Sequence, residues 1–343
     1  MGDKMKVAII GAGMQCRRRA PVFTGNTPDR EGRKTELALI ADRTPAKAEA
    51  AAKAFGCAAV NTWQEVVSRE DIDIVMVCTP PYVHAEISIA AMRAGKHVLC
   101  EKPLARSMAE ADDMLAAARQ TKKILKCGFN HRHHPAVWQA KKIFDEGGIG
   151  KSLFGRCRYG ICGRPGYEKE WRADPKQAAG GQFIEQGTHA IDLFRWFMGE
   201  ITEVAGMTAN RYFSQQPLDE DGMALFRTSS QATAMLHASL TQWKNLFSFE
   251  IFGCDGYLTV EGLGSSYGTE RLIVGKRDFN APFNESVTEF RSGDISWQEE
   301  WKEFMAAISE GRAPLGNDED GRKALQIALA VYESEKSGRI IRL

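Results

Sequence analysis

The chain has 343 residues, 43% of them apolar and 26% charged, with a formal net charge of +1. That length suits two domains rather than one small core. A balance so close to neutral leaves no electrostatic footprint for nucleic acid or an anionic membrane, and no apolar run approaches the length of a bilayer-spanning helix.

The opening stretch, MGDKMKVAIIGAG, runs directly into a strand pattern and lacks the order of a signal peptide. Lys6 stands where an N-myristoylation signal after Gly2 needs Ser or Thr. Eight cysteines (Cys16, Cys57, Cys78, Cys100, Cys127, Cys157, Cys162 and Cys254) are scattered without a C-x-x-C pair. The expected setting is therefore reducing and cytoplasmic.

Through residue 130, short apolar runs at 6–13, 36–43, 73–80, 97–103 and 124–130 alternate with helical patterns at 46–56, 84–95 and 107–121. Gly95 follows one helix and Ser107 opens the next, as helix stop and start signals do. The runs are apolar on both faces, which fits strands buried in a parallel, doubly wound sheet. From about residue 128 the rhythm changes. A helix at 136–147, a strand at 151–161, a long polar loop at 162–181 and a helix at 182–198 come first. Strand-like runs then fill 201–275, among them 232–243 and 246–253, and helices at 297–310 and 319–337 close the chain. The fold class is α/β for residues 1–127, with a doubly wound parallel sheet. Residues 128–343 are expected to form an α+β domain on a large, mostly antiparallel, open sheet.

VAIIGAGMQC places Gly11 and Gly13 directly after the first strand and before a helix. Gly11 allows a tight turn, and Gly13 lets backbone approach a pyrophosphate at the helix N-terminus. Cys16 stands where the usual third glycine would be, and is small enough for close helix–strand packing. The whole turn, Gly11, Ala12, Gly13, Met14 and Gln15, is read as cofactor-binding. Asp42 ends the second strand, 29 residues past Gly13; without the polar stretch at 26–34 the spacing is the customary 20. An acid there binds ribose hydroxyls and favours NAD, whereas the adjacent Arg43 suits a 2′-phosphate and keeps NADP open.

VLCEKPLA ends a strand in Glu101-Lys102-Pro103. Hydride transfer from an alcohol needs the carbinol carbon facing the nicotinamide, an exit for the hydroxyl proton, and stabilisation of the developing oxyanion. A lysine at the carboxyl end of a parallel sheet can supply the last of these, and Pro103 biases it towards an extended conformation.

The stretches GAGMQC, CTPPYVHAEISIAAMRAGKHVLCEKPLA, GFNHRHHPAVWQAKKIFDEGGIG and GGQFIEQGTHAIDLFRWFMGE occur in the order seen in the glucose–fructose oxidoreductase / inositol dehydrogenase / MocA family, which the chain resembles over nearly its whole length. The resemblance implies an N-terminal Rossmann domain, a C-terminal domain with an open sheet, and NAD or NADP as cofactor. It implies oxidation or reduction of sugars, cyclitols and sugar derivatives, including sugar-nucleotides. By it Lys102 is the catalytic lysine and His189 the proton-relay histidine. Glu185 takes the place of the family's aspartate, one methylene longer. Cys78, Thr79, Pro80, Tyr82 and His84, with Glu101 and Lys102, would shape the nicotinamide pocket; His84 equally suits a cap for the following helix.

Glu185, His189 and Asp192 share one helical face, and Gly187 between them leaves room for a ligand or backbone. HRHH (131–134) lacks partners at ligand spacing, so no metal is expected, while Arg132 is a candidate to line the cleft. Arg164, Tyr167, Glu168, Trp171 and Arg172 occupy the 162–181 loop; Arg164, Tyr167 and Trp171 join Lys102, Arg132, Glu185 and His189 as the expected substrate contacts. Aromatics alternating through 241–253 suggest a sheet face covered by packing or by another subunit, and a homodimer or homotetramer through the C-terminal sheet is expected. The leading expectation is an NAD(P)-dependent oxidoreductase for the secondary alcohol of a carbohydrate or cyclitol. The alternatives are a non-catalytic dinucleotide and sugar sensor, and a glycoside-cleaving enzyme that uses NAD transiently at C3.

Overall fold

The structure, a computed structural model, describes residues 4–24, 35–213 and 217–343. The 26–34 stretch invoked for the Asp42 spacing lies outside them. The chain forms two compact units, Met1–Phe129 with Trp297–Arg322, and Asn130–Ser296 with Lys323–Leu343.

In the first unit, β1 (Met5–Ile10), α1 (Met14–Thr24), β2 (Thr35–Ala41), α2 (Pro45–Phe55), β3 (Ala58–Val60), α3 (Trp63–Ser68), β4 (Ile74–Val77), α4 (His84–Arg93), β5 (His97–Cys100), α5 (Met108–Thr121) and β6 (Leu125–Cys127) follow in order. The six strands are parallel, in the order β3-β2-β1-β4-β5-β6. Val7–Ile10 and all of β4 are buried, because helices cover both faces of a doubly wound sheet. Strand order reverses between β1 and β4, and the crevice beyond their carboxyl ends is where such sheets bind ligands. Local chemistry sets the helix ends. Gly56 closes α2 in the left-handed region at φ 71°, Thr62 and Glu65 form a reciprocal capping box on α3, and Ser107 accepts the Glu110 N–H at the start of α5.

The sequence pattern assigns residues 128–343 to the second domain, but Trp297–Arg322 belongs with the first unit. The reason is packing. Trp301, Phe304 and Met305 of α8 (Ser296–Glu310) join the core cluster of Val7, Ile9, Cys16, Ala20 and Phe23. Phe23 and Trp301 meet edge to face, with ring centroids 4.4 Å apart. Each large side chain buried this way contributes roughly 2–3 kcal/mol, and chain position places no limit on where an apolar stripe finds its match.

In the second unit, α6 (Pro135–Asp145), β7 (Ser152–Cys162), α7 (Gln182–Met198), β8 (Ile201–Ala209), β9 (Asp221–Thr228), β10 (Thr233–Ser239), β11 (Thr241–Gly253), β12 (Gly256–Glu261), β13 (Glu270–Lys276) and β14 (Glu285–Phe290) precede α9 (Asp318–Ser337), which enters this unit at Lys323, and β15 (Ile341–Arg342). Nine strands form one sheet in the order β14-β13-β12-β11-β7-β10-β9-β8-β15, antiparallel except for the parallel β7–β10 pair. α7 lies on one face: Phe194 sits over Gly155 and Phe183 over Gly222, where a Cβ would come within 2.8 and 2.7 Å. The other face leaves Met207, Met223 and Leu225 exposed. The run expected at 232–243 divides at Leu240, whose N–H and carbonyl bond Glu220 and Gly163. Among the described residues no helix is long and apolar enough to cross a membrane.

Candidate functional site

In the first unit, four loops at the carboxyl ends of β1, β2, β4 and β5 carry the expected residues. The expected strands stop short of them, at Ile10, Ala41, Val77 and Cys100, and so free these residues from the sheet. Gly11 has φ 102° and donates its N–H to Ala41 O at 2.8 Å. A Cβ on it would stand 2.7 Å from Cys78 O, so the loop after β4 approaches too closely for any side chain. At Gly13 nothing lies within 4 Å of an added Cβ. α1 starts at the next residue without an acid in its first turn, leaving helix N–H groups beside open space, as a pyrophosphate requires. Asp42 accepts the Ala12 N–H at 2.9 Å and the Thr44 N–H at 2.8 Å, which pins its carboxylate beside the glycine turn. A carboxylate has about four acceptor positions, so two remain for ribose hydroxyls. Arg43 donates to the Tyr82 hydroxyl at 2.9 Å. Gln15 Oε1 and Thr79 Oγ1 are buried and have no hydrogen-bond partner among the described residues. Open space at Gly13, a fixed carboxylate and two orphaned polar atoms in adjoining loops fit a dinucleotide.

Two residues expected to touch cofactor are used otherwise. His84 is fully buried at the start of α4, with Nδ1 3.0 Å from Pro103 O and Nε2 2.8 Å from Thr79 O. It joins the loop after β4 to the turn after β5 instead of facing a pocket. Glu101, also buried, accepts from Arg19 Nε at 2.9 Å. Arg19 in turn bonds Glu300 of α8, and Lys126 lies 3.5 Å from Glu300. Burial opposes the Arg19 charge, but Glu300 and Glu101 outweigh it and hold the guanidinium above its ordinary value. Arg19 and Glu300 carry no sequence signal: they lie 281 residues apart. Burial, with Glu101 nearby, pushes the Cys78 thiol well above its usual value, so it packs and does not react. Lys102 is half-buried between Glu101 and Pro103, and the Lys102–Pro103 bond is cis.

In the second unit α7 is the organising element. Asp219 caps its start: Oδ1 accepts the Gly181 N–H at 3.1 Å, Oδ2 the Phe183 N–H at 2.7 Å, and Tyr332 donates to Oδ1 at 2.8 Å. Burial raises the Asp219 carboxyl against the pull of those donors. The cap sets the phase of the helix and so places Glu185, His189 and Asp192 on one buried face. Gly187 does not open towards a ligand. Its added Cβ would lie 3.3 Å from Leu236, so the glycine lets α7 settle onto β10. Arg132, expected to line a cleft, is buried in a bidentate pair with Asp192, Nε to Oδ2 at 2.7 Å and a terminal nitrogen to Oδ1 at 2.5 Å.

The HRHH run spreads its side chains. His134 pairs with Glu270 at 2.9 Å, while His131 stacks on His189 and reaches the Tyr159 hydroxyl at 3.0 Å. Tyr159 was not legible in advance, being one inward position of a long strand. In the 162–181 loop Arg172 lies 3.8 Å from Glu185 and its guanidinium covers the Trp171 ring at 4.3 Å. Tyr167 is buried, and burial followed by the Glu185 charge raises its hydroxyl well above the ordinary value. Arg164 instead turns outward to Glu170 at 2.6 Å. The loop thus brings Tyr167, Trp171 and Arg172 towards Glu185 and leaves Arg164 aside.

Known proteins resemble the chain in sequence and fold. Residues 5–129 match the GFO_IDH_MocA description "Oxidoreductase family, NAD-binding Rossmann fold", and residues 137–259 match the GFO/IDH/MocA C-terminal domain. A levoglucosan dehydrogenase of Pseudarthrobacter phenanthrenivorans (strain DSM 18606 / JCM 16027 / LMG 23796 / Sphe3) is 28% identical over 382 residues, covering 97% of this chain and 96% of that protein. The scyllo-inositol 2-dehydrogenase (NAD(+)) of Bacillus subtilis (strain 168) is 26% identical, covering 100% and 97%. Among solved structures, levoglucosan dehydrogenase in complex with NADH superposes with a TM-score of 0.88 at 26% identity, over 99% of both chains. With both domains matched in order and the dinucleotide turn in place, the chain belongs to the Gfo/Idh/MocA family of NAD(P)-dependent oxidoreductases.

Proposed function

We propose that the protein interconverts a secondary alcohol and a ketone on a sugar or cyclitol ring, with NAD as its preferred cofactor. The observation that carries this reading is the α7 face, where His189 stands one turn from Glu185 and both are buried. A buried imidazole beside a carboxylate is suited to taking a hydroxyl proton near neutral pH.

Gly11, Ala12, Gly13, Met14 and Gln15 would hold the pyrophosphate, Asp42 and Arg43 the adenosine ribose, and Thr79, Pro80 and Tyr82 the nicotinamide end. The bound dinucleotide supplies the hydride acceptor. Lys102 hydrogen-bonds the reacting oxygen and stabilises negative charge on it. His189 takes the hydroxyl proton, and Glu185 orients the substrate. Trp171 and Tyr167 offer aromatic faces to a sugar ring. Arg172 beside Glu185 compensates its charge, which favours an uncharged polyol over an acid sugar.

The test has two steps. NADH and NADPH binding is followed by fluorescence. Turnover is then followed at the reduced-nicotinamide band with D-glucose, levoglucosan, myo-inositol, scyllo-inositol and a dTDP-sugar. Turnover of a neutral ring alcohol is expected; dinucleotide binding with every alcohol inert would reject the reading.

The exposed sheet face, with Met207, Met223 and Leu225 in neighbouring strands, supports self-association through that face. Light scattering of the wild type against Leu225→Glu tests it, with a loss of oligomer expected. Eight free thiols, five of them buried, support action in a reducing compartment such as the cytoplasm.

A further inference from the structure

The imidazole of His131 lies flat on that of His189, with centroids 3.8 Å apart and planes 21° from parallel. Both rings are buried, and His131 is held by its edges. Ser296 Oγ donates to Asp294 Oδ1 at 2.6 Å, so it accepts from Asn130 Nδ2 at 2.9 Å. That turns Asn130 Oδ1 towards His131 Nδ1, 3.2 Å away. An amide oxygen only accepts, so Nδ1 carries a hydrogen. Nε2 lies 3.0 Å from the Tyr159 hydroxyl and, in the neutral ring, accepts from it.

We propose that His131 is a positioning residue, locked as the neutral Nδ1–H tautomer, whose ring fixes the plane of His189 and leaves His189 as the only member of the stack that takes a proton. The inference rests on the reading of His189 as the base. In the step it serves, the substrate O–H bond breaks, the proton goes to the His189 ring, and the electron pair stays on the substrate oxygen as the carbonyl forms and the hydride leaves for the nicotinamide. Two imidazolium ions at this separation would repel strongly in a buried setting, so a second charge on His131 would expel the first. The charged groups around the stack are themselves matched. Arg132 pairs with Asp192, His134 with Glu270 and at 3.9 Å with Asp294, and Arg172 with Glu185. From the sheet side the facing groups are the Tyr159 hydroxyl and the Phe247 ring, with Tyr267 behind Tyr159.

Imidazole ¹⁵N shifts of the full chain, assigned with His131→Phe and His189→Gln, give the direct test. His131 is expected to show a protonated Nδ1 and a bare Nε2 from pH 8 to pH 5.5. The opposite tautomer, or an imidazolium within that range, would overturn the proposal. Kinetics give the second, using NAD and whichever alcohol of the panel above turns over fastest. His131→Ala should lower kcat at least ten-fold while KM changes less than three-fold, and His131→Phe, which keeps a flat ring, should recover to within about three-fold of wild type. An alanine variant as active as wild type, or a phenylalanine variant as poor as alanine, would refute the positioning role. A fully active His189→Gln would refute the reading of His189 as base and leave the tautomer result standing by itself.

Discussion

Arg132 grips Asp192 through two parallel bonds of 2.7 and 2.5 Å, and both side chains are buried. The pair ties the turn at Asn130–His133 to the same helix that carries Glu185 and His189. Such a fork is strong only while both partners remain.

Breaking it from one side leaves a buried, uncompensated charge. Asp192→Asn is expected to destabilise the fold by about 3–5 kcal/mol, whereas Arg132→Met with Asp192→Leu should lie much closer to wild type. Urea unfolding of the three proteins checks this. A single variant as stable as wild type would mean that the charge finds another partner.

Buried, strongly periodic elements are legible in the sequence, and short exposed ones are not. Val7–Ile10 and Ile74–Val77 were readable because a strand buried on both faces must be continuously apolar. Helix α7 was readable because its apolar residues recur at helical spacing. β3 and α3 were not, being three and six residues long and largely exposed, with little periodicity to detect. The Arg19–Glu101–Glu300 network and the seat of α8 depend on side chains that meet only after the chain has folded. The same holds for the site. The candidates Gly11, Asp42 and Lys102 could be picked out in the sequence because a backbone turn and strand ends are local. That Arg132 serves Asp192, that His84 joins two carbonyls, and that His131 lies on His189 are facts of tertiary packing.

Lys102→Ala should lower kcat by at least a thousand-fold and leave the NADH dissociation constant within about three-fold. A donor to a developing oxyanion typically contributes a factor of about 10²–10³, and a proton route adds to it. Fluorescence titration and steady-state rates on the same preparation separate the two effects. Loss of NADH binding with turnover spared would reverse the assignment.

His97 predicts an acid limit on stability. Burial, aided by Lys123, lowers its imidazole from 6.5 to about 4, and the neutral ring accepts the Ile124 N–H at 3.1 Å. Unfolded, the ring takes a proton near pH 6.5; folded, only near pH 4. Between those values the unfolded state binds more protons, so stability falls as pH drops from 6.5 towards 4 and is unaffected by this group above 6.5. The loss amounts to roughly 2 kcal/mol once the ring's partial exposure is allowed for. His97→Gln keeps an acceptor for Ile124 and does not titrate. Urea midpoints measured from pH 7 to pH 4.5 should therefore fall less steeply in the variant, and parallel curves would count against the assignment.

Asp42 predicts a preference for NAD over NADP. Its carboxylate is fixed beside the glycine turn by the Ala12 and Thr44 N–H groups, so it cannot swing away from a 2′-phosphate. Arg43, which would welcome that phosphate, is engaged with the Tyr82 hydroxyl. Repulsion between a fixed carboxylate and a phosphate near 4 Å is worth roughly 1–2 kcal/mol in a solvated setting, about a ten-fold difference in affinity. NADH should therefore bind about ten-fold more tightly than NADPH. Asp42→Ser removes the charge but retains an oxygen for the Ala12 N–H, so it should narrow that ratio chiefly by improving NADPH binding. A ratio unchanged by the substitution would show that discrimination arises elsewhere along the loop after β2.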